Sequence, residues 1–168
     1  VGRGIIVDNK LRTSQKDIYA AGDCAEALDI LSGEKRPIPV WPLAFRQGAI
    51  AGANMAGGKK EYAGGFLLNS VSVFGMPLIT LGLSTSADTE ALAQDNIKKG
   101  SYKKILLRDG KIIGAIFVND IDRAGIITGL ISDGIVVEQF KNDILHDQFG
   151  YIYVPQEFRS REVAPSEV

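Results

Sequence analysis

Asp109-Gly110 separates two apolar runs, Tyr102 to Arg108 and Lys111 to Val118. A two-residue type I′ connection needs positive φ at both central positions, and its twist matches that of the strands it joins. Asp followed by Gly meets that demand. The spacing therefore predicts an antiparallel hairpin, and a hairpin this apolar needs cover. Two further short strands are expected from Ser70 to Phe74 and from Leu78 to Gly82, with Gly75-Met76-Pro77 between them. Ile126, Ile127, Leu130 and Ile131 recur at helical spacing within Asp122 to Ser132, with Asp122 as a candidate N-cap and Gly134 just past the end. A second helix is expected over Val137 to Leu145. The tail after Pro155 is polar and reads as loose.

The amino-terminal third has a different character. Gly4 to Val7 reads as a strand, followed by turn residues Asp8-Asn9-Lys10. Ile18 to Ala21 is a short apolar run long enough for one buried strand. Gly22 follows, where a missing Cβ allows a close approach to the backbone. Asp23 then places a carboxylate at the expected carboxyl edge of that strand, where ligands sit in open α/β sheets. A carboxylate only accepts hydrogen bonds, so it suits a ligand rich in hydroxyls. The plainer reading of Asp23 is an ordinary turn or N-cap residue.

Pro42 to Ala56 reads as a helix, with Pro42 at the first position, where its missing N–H costs nothing. Gly57-Gly58 is a plausible stop. Gly48, Gly52 and Ala56 repeat at helical spacing, leaving one side almost bare. Each interior Gly costs about 0.5–1 kcal/mol relative to Ala. Close packing on a sheet or a flat ligand is the expected compensation. The first turn carries a partial positive charge and unpaired N–H groups that can stabilise an anion. A helix that merely packs into the core is the equal alternative. Composition shifts near Gly64-Gly65, the expected domain boundary.

The 168 residues include 45% apolar side chains, enough to bury roughly two thirds of the surface on folding. Lys plus Arg number 19 against 20 Asp plus Glu, a balance that argues against a nucleic-acid partner. No apolar stretch reaches membrane-spanning length. Cys24 is the only cysteine, which excludes an internal disulfide or a Cys-x-x-Cys pair and favours a reducing, cytoplasmic location. It is expected to be a small buried hydrophobe. His146, the only histidine, has just Asp147 beside it and reads as a surface or interface residue. Gly2-Arg3-Gly4 fails as a dinucleotide fingerprint because Val7 stands at the third glycine. Gly57-Gly58-Lys59-Lys60 fails as a phosphate loop because Ala53 and Lys60 stand at required Gly and Ser/Thr positions. The chain opens on Val1 beside a strand pattern, so a fragment whose amino-terminal part is absent is expected.

Four stretches, in order, resemble the pyridine nucleotide-disulfide oxidoreductase family. Asp17-Ile18-Tyr19-Ala20-Ala21-Gly22-Asp23-Cys24-Ala25 is similar to its second FAD motif. Pro42 to Gly57 is similar to the helix that follows. Asn69 to Gly75 resembles the start of its interface domain, and Tyr102 to Ala115 resembles that domain's central hairpin. Within the family the chain most resembles the flavin domains of NADH-dependent nitrite reductases, rubredoxin reductases and related NAD(P)H oxidoreductases. The His-Pro…Glu element of the glutathione reductase branch is missing, since Asp147 follows His146. Lys16 also stands where Pro is frequent.

The resemblance implies an α+β chain: residues 1–64 as the last piece of a Rossmann-like FAD-binding domain, and residues 65–168 as an antiparallel-sheet interface or dimerisation domain with two helices. It puts a strand over Thr89 to Gln94, against the helix propensity of that run. It implies that Asp23 holds the ribityl chain of FAD, with Gly22 beside it. The backbone N–H groups of Leu43 and Ala44 would face the flavin's pyrimidine edge. No catalytic side chain and no metal ligand is expected. The parent would pass electrons from NAD(P)H through FAD to a redox protein or small-molecule acceptor. The piece itself would be inactive and would not retain FAD. The alternative is a non-catalytic homodimerisation or docking module.

Overall fold

The computed structural model describes residues 2–85 and 87–159. They form two compact units, Val1–Asn69 and Ser70–Val168. The division falls a few residues beyond Gly64-Gly65.

In the first unit, β1 (Ile5–Ile6) pairs in parallel with β2 (Ala25–Leu28), which pairs antiparallel with β3 (Lys35–Arg36). Helix α1 spans Trp41–Met55. The small core joins Val7, Leu11, Ala20, Ala25, Ala27, Ala51 and Tyr62. The strand expected over Ile18 to Ala21 does not form. Tyr19 makes a single antiparallel bridge to Arg12, and Ile18 is 54% exposed. The backbone takes positive φ at Asp17 (62°) and again at Gly22 (80°), leaving no length for a ladder between them. The regular strand is β2, just after the motif, where β1 provides a partner. Asp23 therefore lies in a turn that leads into a strand, not at a strand's carboxyl end.

The β2–β3 connection closes on Asp29, which is fully buried. Its carboxylate accepts from the Leu31 N–H at 2.9 Å and from the Arg36 Nε at 2.5 Å. Helix α1 begins one residue before the expected start, with Val40 at the N-cap and Pro42 at the second position. Gly57 (φ 91°) follows its C-cap. Gly48 and Gly52 do not serve close packing: a Cβ built on either meets no described atom within 4 Å. The helix buries its opposite face, through Leu43, Gln47, Ala51 and Asn54.

The second unit is built on a sheet of order β4-β5-β8-β7-β6. Its strands are β4 (Leu68–Val73), β5 (Met76–Gly82), β6 (Glu90–Asn96), β7 (Ser101–Arg108) and β8 (Lys111–Val118). Asp109 (φ 51°) and Gly110 (φ 70°) make the turn their sequence demands. The β4–β5 connection is tighter than expected. Phe74 (φ 51°) and Gly75 (φ 82°) form it alone, and Met76 and Pro77 already belong to β5. The strand over Thr89 to Gln94 is present as β6, because pairing along the whole of β7 outweighs a short run's helix propensity. A Cβ on Gly114 of β8 would lie 1.8 Å from the Leu83 carbonyl oxygen, so the chain leaving β5 crosses β8 at backbone contact.

Helix α2 (Ala124–Ser132) buries Ala124, Ile127, Leu130 and Ile131. Its N-cap is Arg123 (φ 76°), with no side-chain cap, so Asp122 does not cap it. The helix expected over Val137 to Leu145 is absent. Successive i→i+3 bonds, Phe140 to Val137, Asp143 to Phe140 and His146 to Asp143, make a chain of turns instead. These turns still bury Val137, Phe140, Ile144 and Phe149, so the apolar spacing is satisfied without a continuous helix. The second helix of this unit is α3 (Gln156–Arg159). The rest of the polar tail, from 160 on, lies outside the described residues.

Candidate functional site: the turn at Gly22-Asp23 and the start of the long helix

Gly22-Asp23-Cys24 form a 3-10 turn between extended Ala21 and β2. The turn is pinned to α1. The Gly22 N–H donates to the Gln47 Oε1 at 2.8 Å, and a Cβ on Gly22 would come 3.4 Å from the Ala44 Cβ. A left-handed φ and this approach together explain glycine at position 22.

Gln47 is nearly buried, one turn after Leu43 on the same helix face. Two turns further, Asn54 donates through Nδ2 to the Lys10 and Lys60 carbonyls, both at 2.9 Å, and accepts the Lys60 N–H at 2.8 Å. The Tyr19 hydroxyl reaches the Asn54 carbonyl at 3.4 Å. The buried face of α1 thus carries two amides that hold three loops. Neither was singled out from sequence. The signal was there: polar residues interrupting a stripe of apolar positions at helical spacing, each needing a partner once buried.

The structure brings Gly22, Asp23 and Ala44 together and separates Leu43 from them. The Leu43 side chain is buried, turned toward Gly65, where a Cβ would meet its Cδ2 at 2.7 Å. The N–H groups of Leu43 and Ala44 both donate to the Val40 carbonyl, at 3.2 and 3.1 Å. They are not open donors, so what these two positions leave at the terminus is its dipole. No acidic residue stands in the first turn of α1 and no side chain caps it, which leaves the positive end uncompensated within the helix. Asp23 is exposed, and among the described residues its carboxylate has no hydrogen-bond or ion-pair partner. Both oxygens are available to hydroxyl donors. That chemistry fits a polyol chain lying along the turn.

Cys24 is exposed, not buried, because the 3-10 turn rolls it outward; its Sγ lies 3.4 Å from the Ala21 carbonyl. Glu26 is buried behind the turn and accepts the Gly4 N–H at 2.6 Å, so Gly2-Arg3-Gly4 wraps a carboxylate of its own chain. His146 belongs to the second unit, exposed, with Nδ1 3.5 Å from Asp143. Among the described residues no cluster of three or more His, Cys, Asp or Glu could hold a metal ion, and no helix is long and apolar enough to cross a membrane.

The family described as rubredoxin NAD+ reductase C-terminal domain matches residues 68–135, and the pyridine nucleotide-disulphide oxidoreductase family matches residues 1–48. The chain is 35% identical over 133 residues to the NADH-dependent phenylglyoxylate dehydrogenase subunit epsilon of Aromatoleum evansii, covering 77% of this chain and 31% of that protein. It is 33% identical over 122 residues to the nitrite reductase [NAD(P)H] of Bacillus subtilis, covering 71% of this chain and 14% of that protein. The NAD-dependent persulfide reductase structure from A. fulgidus superposes with a TM-score of 0.71 at 25% identity, over 83% of this chain and 29% of that one. The chain thus spans less than a third of each of these proteins. Two consecutive family matches, in the order of the motifs and on a fold that superposes, lead to one conclusion: the chain belongs to the pyridine nucleotide-disulphide oxidoreductase family.

Proposed function

We propose that the chain is the carboxyl-terminal part of an FAD-dependent NAD(P)H oxidoreductase. In this reading residues 1–64 end the FAD-binding domain and residues 65–168 form the interface domain. The observation that carries it is the unpartnered Asp23 carboxylate on a turn pinned by Gln47 to the start of α1. Asp23 would accept hydroxyls of the ribityl chain, and Gly22 would admit that chain close to the backbone. The positive end of α1, around Leu43 and Ala44, would favour negative charge nearby. FAD, when bound, supplies the capacity to take up hydride from NAD(P)H and hand electrons on to a redox protein or small-molecule acceptor. The residues of this chain supply position and electrostatics. The relatives' dependence on NADH or NAD(P)H supports the donor. With only this part of the site, the 168 residues alone are expected to be colourless and inactive.

The test is flavin content. In a longer chain that carries these residues with a nucleotide-binding segment, Asp23→Ala should reduce the flavin copurified per protein, and Asp23→Asn should reduce it less. Undiminished flavin in both variants would overturn the assignment.

A second reading, an association module, is favoured by one observation in the other unit: an exposed, uncharged sheet edge.

A further inference from the structure

The face of β7 that packs into the core changes character along its length. Leu107 and Ile105 are aliphatic and almost fully buried, and the same alternation then brings Lys103 and Ser101 to that face. Both are buried as well, at 6% and 7% exposure. Across the ladder Gln94 lies opposite Lys103 and Asn96 opposite Ser101, so polar residues face polar residues at this end of the sheet. Beside them opens a cavity of about 370 Å³, whose polar lining is Lys99, Ser101, Asn119, Asp120, Asp122 and Asp147. All of these belong to the second unit.

The bonding around this cavity is lopsided. Its cationic heads are already engaged: the Lys103 Nζ on Asp120 at 2.8 Å and on Asp147 at 3.2 Å, and the Lys99 Nζ on Asp147 at 2.8 Å. The Asn119 Nδ2 donates to the Lys99 carbonyl at 3.0 Å, and its amide oxygen is left over. What remains is mostly acceptors. Among the described residues the Asp122 carboxylate has no hydrogen-bond or ion-pair partner. Neither has the Ser101 hydroxyl, although its residue is only 7% exposed and lines the cavity. A buried hydroxyl is normally bonded, so one left unpaired against a cavity points to something that fills it. Three carboxylates stand against two ammonium groups, so the site carries one negative charge in excess.

We propose that this cavity binds an organic cation rich in N–H donors, a guanidinium group on an alkyl stem. The proposal goes beyond the flavin reading and stands without it. An anion would meet ammonium groups already held by carboxylates. A bare metal ion does not suit either, since among the described residues no group of three or more His, Cys, Asp or Glu could hold one. A guanidinium presents five donors in a flat fork. One edge of the fork matches the free Asp122 carboxylate, and donors remain for the oxygens of Ser101 and Asn119. It is also more weakly hydrated than an ammonium, so it enters a cavity at a lower desolvation cost. The group can come from a free small molecule or from an arginine side chain of another protein.

Backbone amide NMR of the 168-residue chain, titrated with agmatine and separately with N-acetyl-arginine methylamide, tests this. Saturable shifts are expected at Ser101, Asn119, Asp120 and Asp122. Asp122→Asn should weaken binding about tenfold, and Ser101→Ala several-fold. Asp133→Asn removes the same charge outside the cavity and should leave the affinity unchanged. Circular dichroism checks that each variant is folded. Asp122 is exposed and holds no other group, so its variant decides should Ser101→Ala unfold the chain. Tighter binding of the capped arginine would support the proposal with a protein side chain as the source, and tighter binding of agmatine would support it with a free cation. Absence of saturable shifts with both probes, an affinity unchanged in folded Asp122→Asn, or inorganic phosphate binding in the cavity as well as either probe would each overturn it.

Discussion

The two units reach order by different means. The first has strands of two, four and two residues, too short to hold their neighbours in place by ladders alone. Its joints are closed by buried polar side chains: Glu26, Asp29, Gln47 and Asn54. The second has strands of six to eight residues and a largely aliphatic interior, with Leu81, Ile105, Leu107 and Ile127 almost fully buried. A ladder aligns itself through many equivalent bonds. A loop is placed by a few specific ones. The candidate ligand site belongs to the unit where single hydrogen bonds matter most.

Substitutions can break or sharpen this contrast. The largest effect should come from Gly114→Ala in the second unit. The added methyl would collide with the Leu83 carbonyl, where only backbone can yield, at a cost of about 3 kcal/mol. Thermal unfolding measures it, and an unchanged melting temperature would mean the crossing at Leu83 is looser than described. Next is Asn54→Leu, which strands the Lys10 and Lys60 backbone groups. We expect a loss of about 2 kcal/mol even though the replacement is more apolar. A neutral or stabilising result would show that apolar packing governs the first unit as well.

Gln47→Leu is smaller and more local. Losing the partner of the Gly22 N–H should cost about 1 kcal/mol and speed hydrogen exchange at Gly22 with little change elsewhere. Equal acceleration across the unit would argue against a local pin.

The smallest effect is electrostatic. Asp147 hydrogen-bonds Lys99 at 2.8 Å and meets Lys103 at 3.2 Å; these hold its carboxyl below the ordinary value of 3.8. A lowered folded pKa contributes stability that is present above pH 3.8 and lost as pH falls through the folded value. Asp147 is half exposed and salt screens it. Asp147→Asn should therefore soften the acid limb of the stability curve only slightly, and only at low ionic strength. An acid limb unchanged in low salt would remove the pair from the stability of the second unit.

Much of the fold could be read residue by residue. The Asp109-Gly110 turn, the span of α1 and its stop at Gly57, and α2 with Gly134 beyond it follow from local rules. The grouping of the candidate site residues was legible; its local geometry was not. Gly22 and Asp23 do meet the start of α1, but through a 3-10 turn ahead of a strand. The apolar run Ile18 to Ala21 looked like a strand because periodicity cannot register the positive φ at Asp17. The bare side of α1 looked like a packing face because spacing alone does not say which side the protein buries.

What the residues decide without help is whatever backbone sterics settle over two to four positions: which turns close, where helices stop, which runs can be extended. The fold alone decided that Gln47 holds Gly22, that Asn54 ties the loops at Lys10 and Lys60, that Asp23 faces solvent, and that Val137 to Leu145 turns instead of coiling. Each of these depends on which distant group satisfies a buried donor or covers an apolar surface, and that choice exists only once the chain has come together.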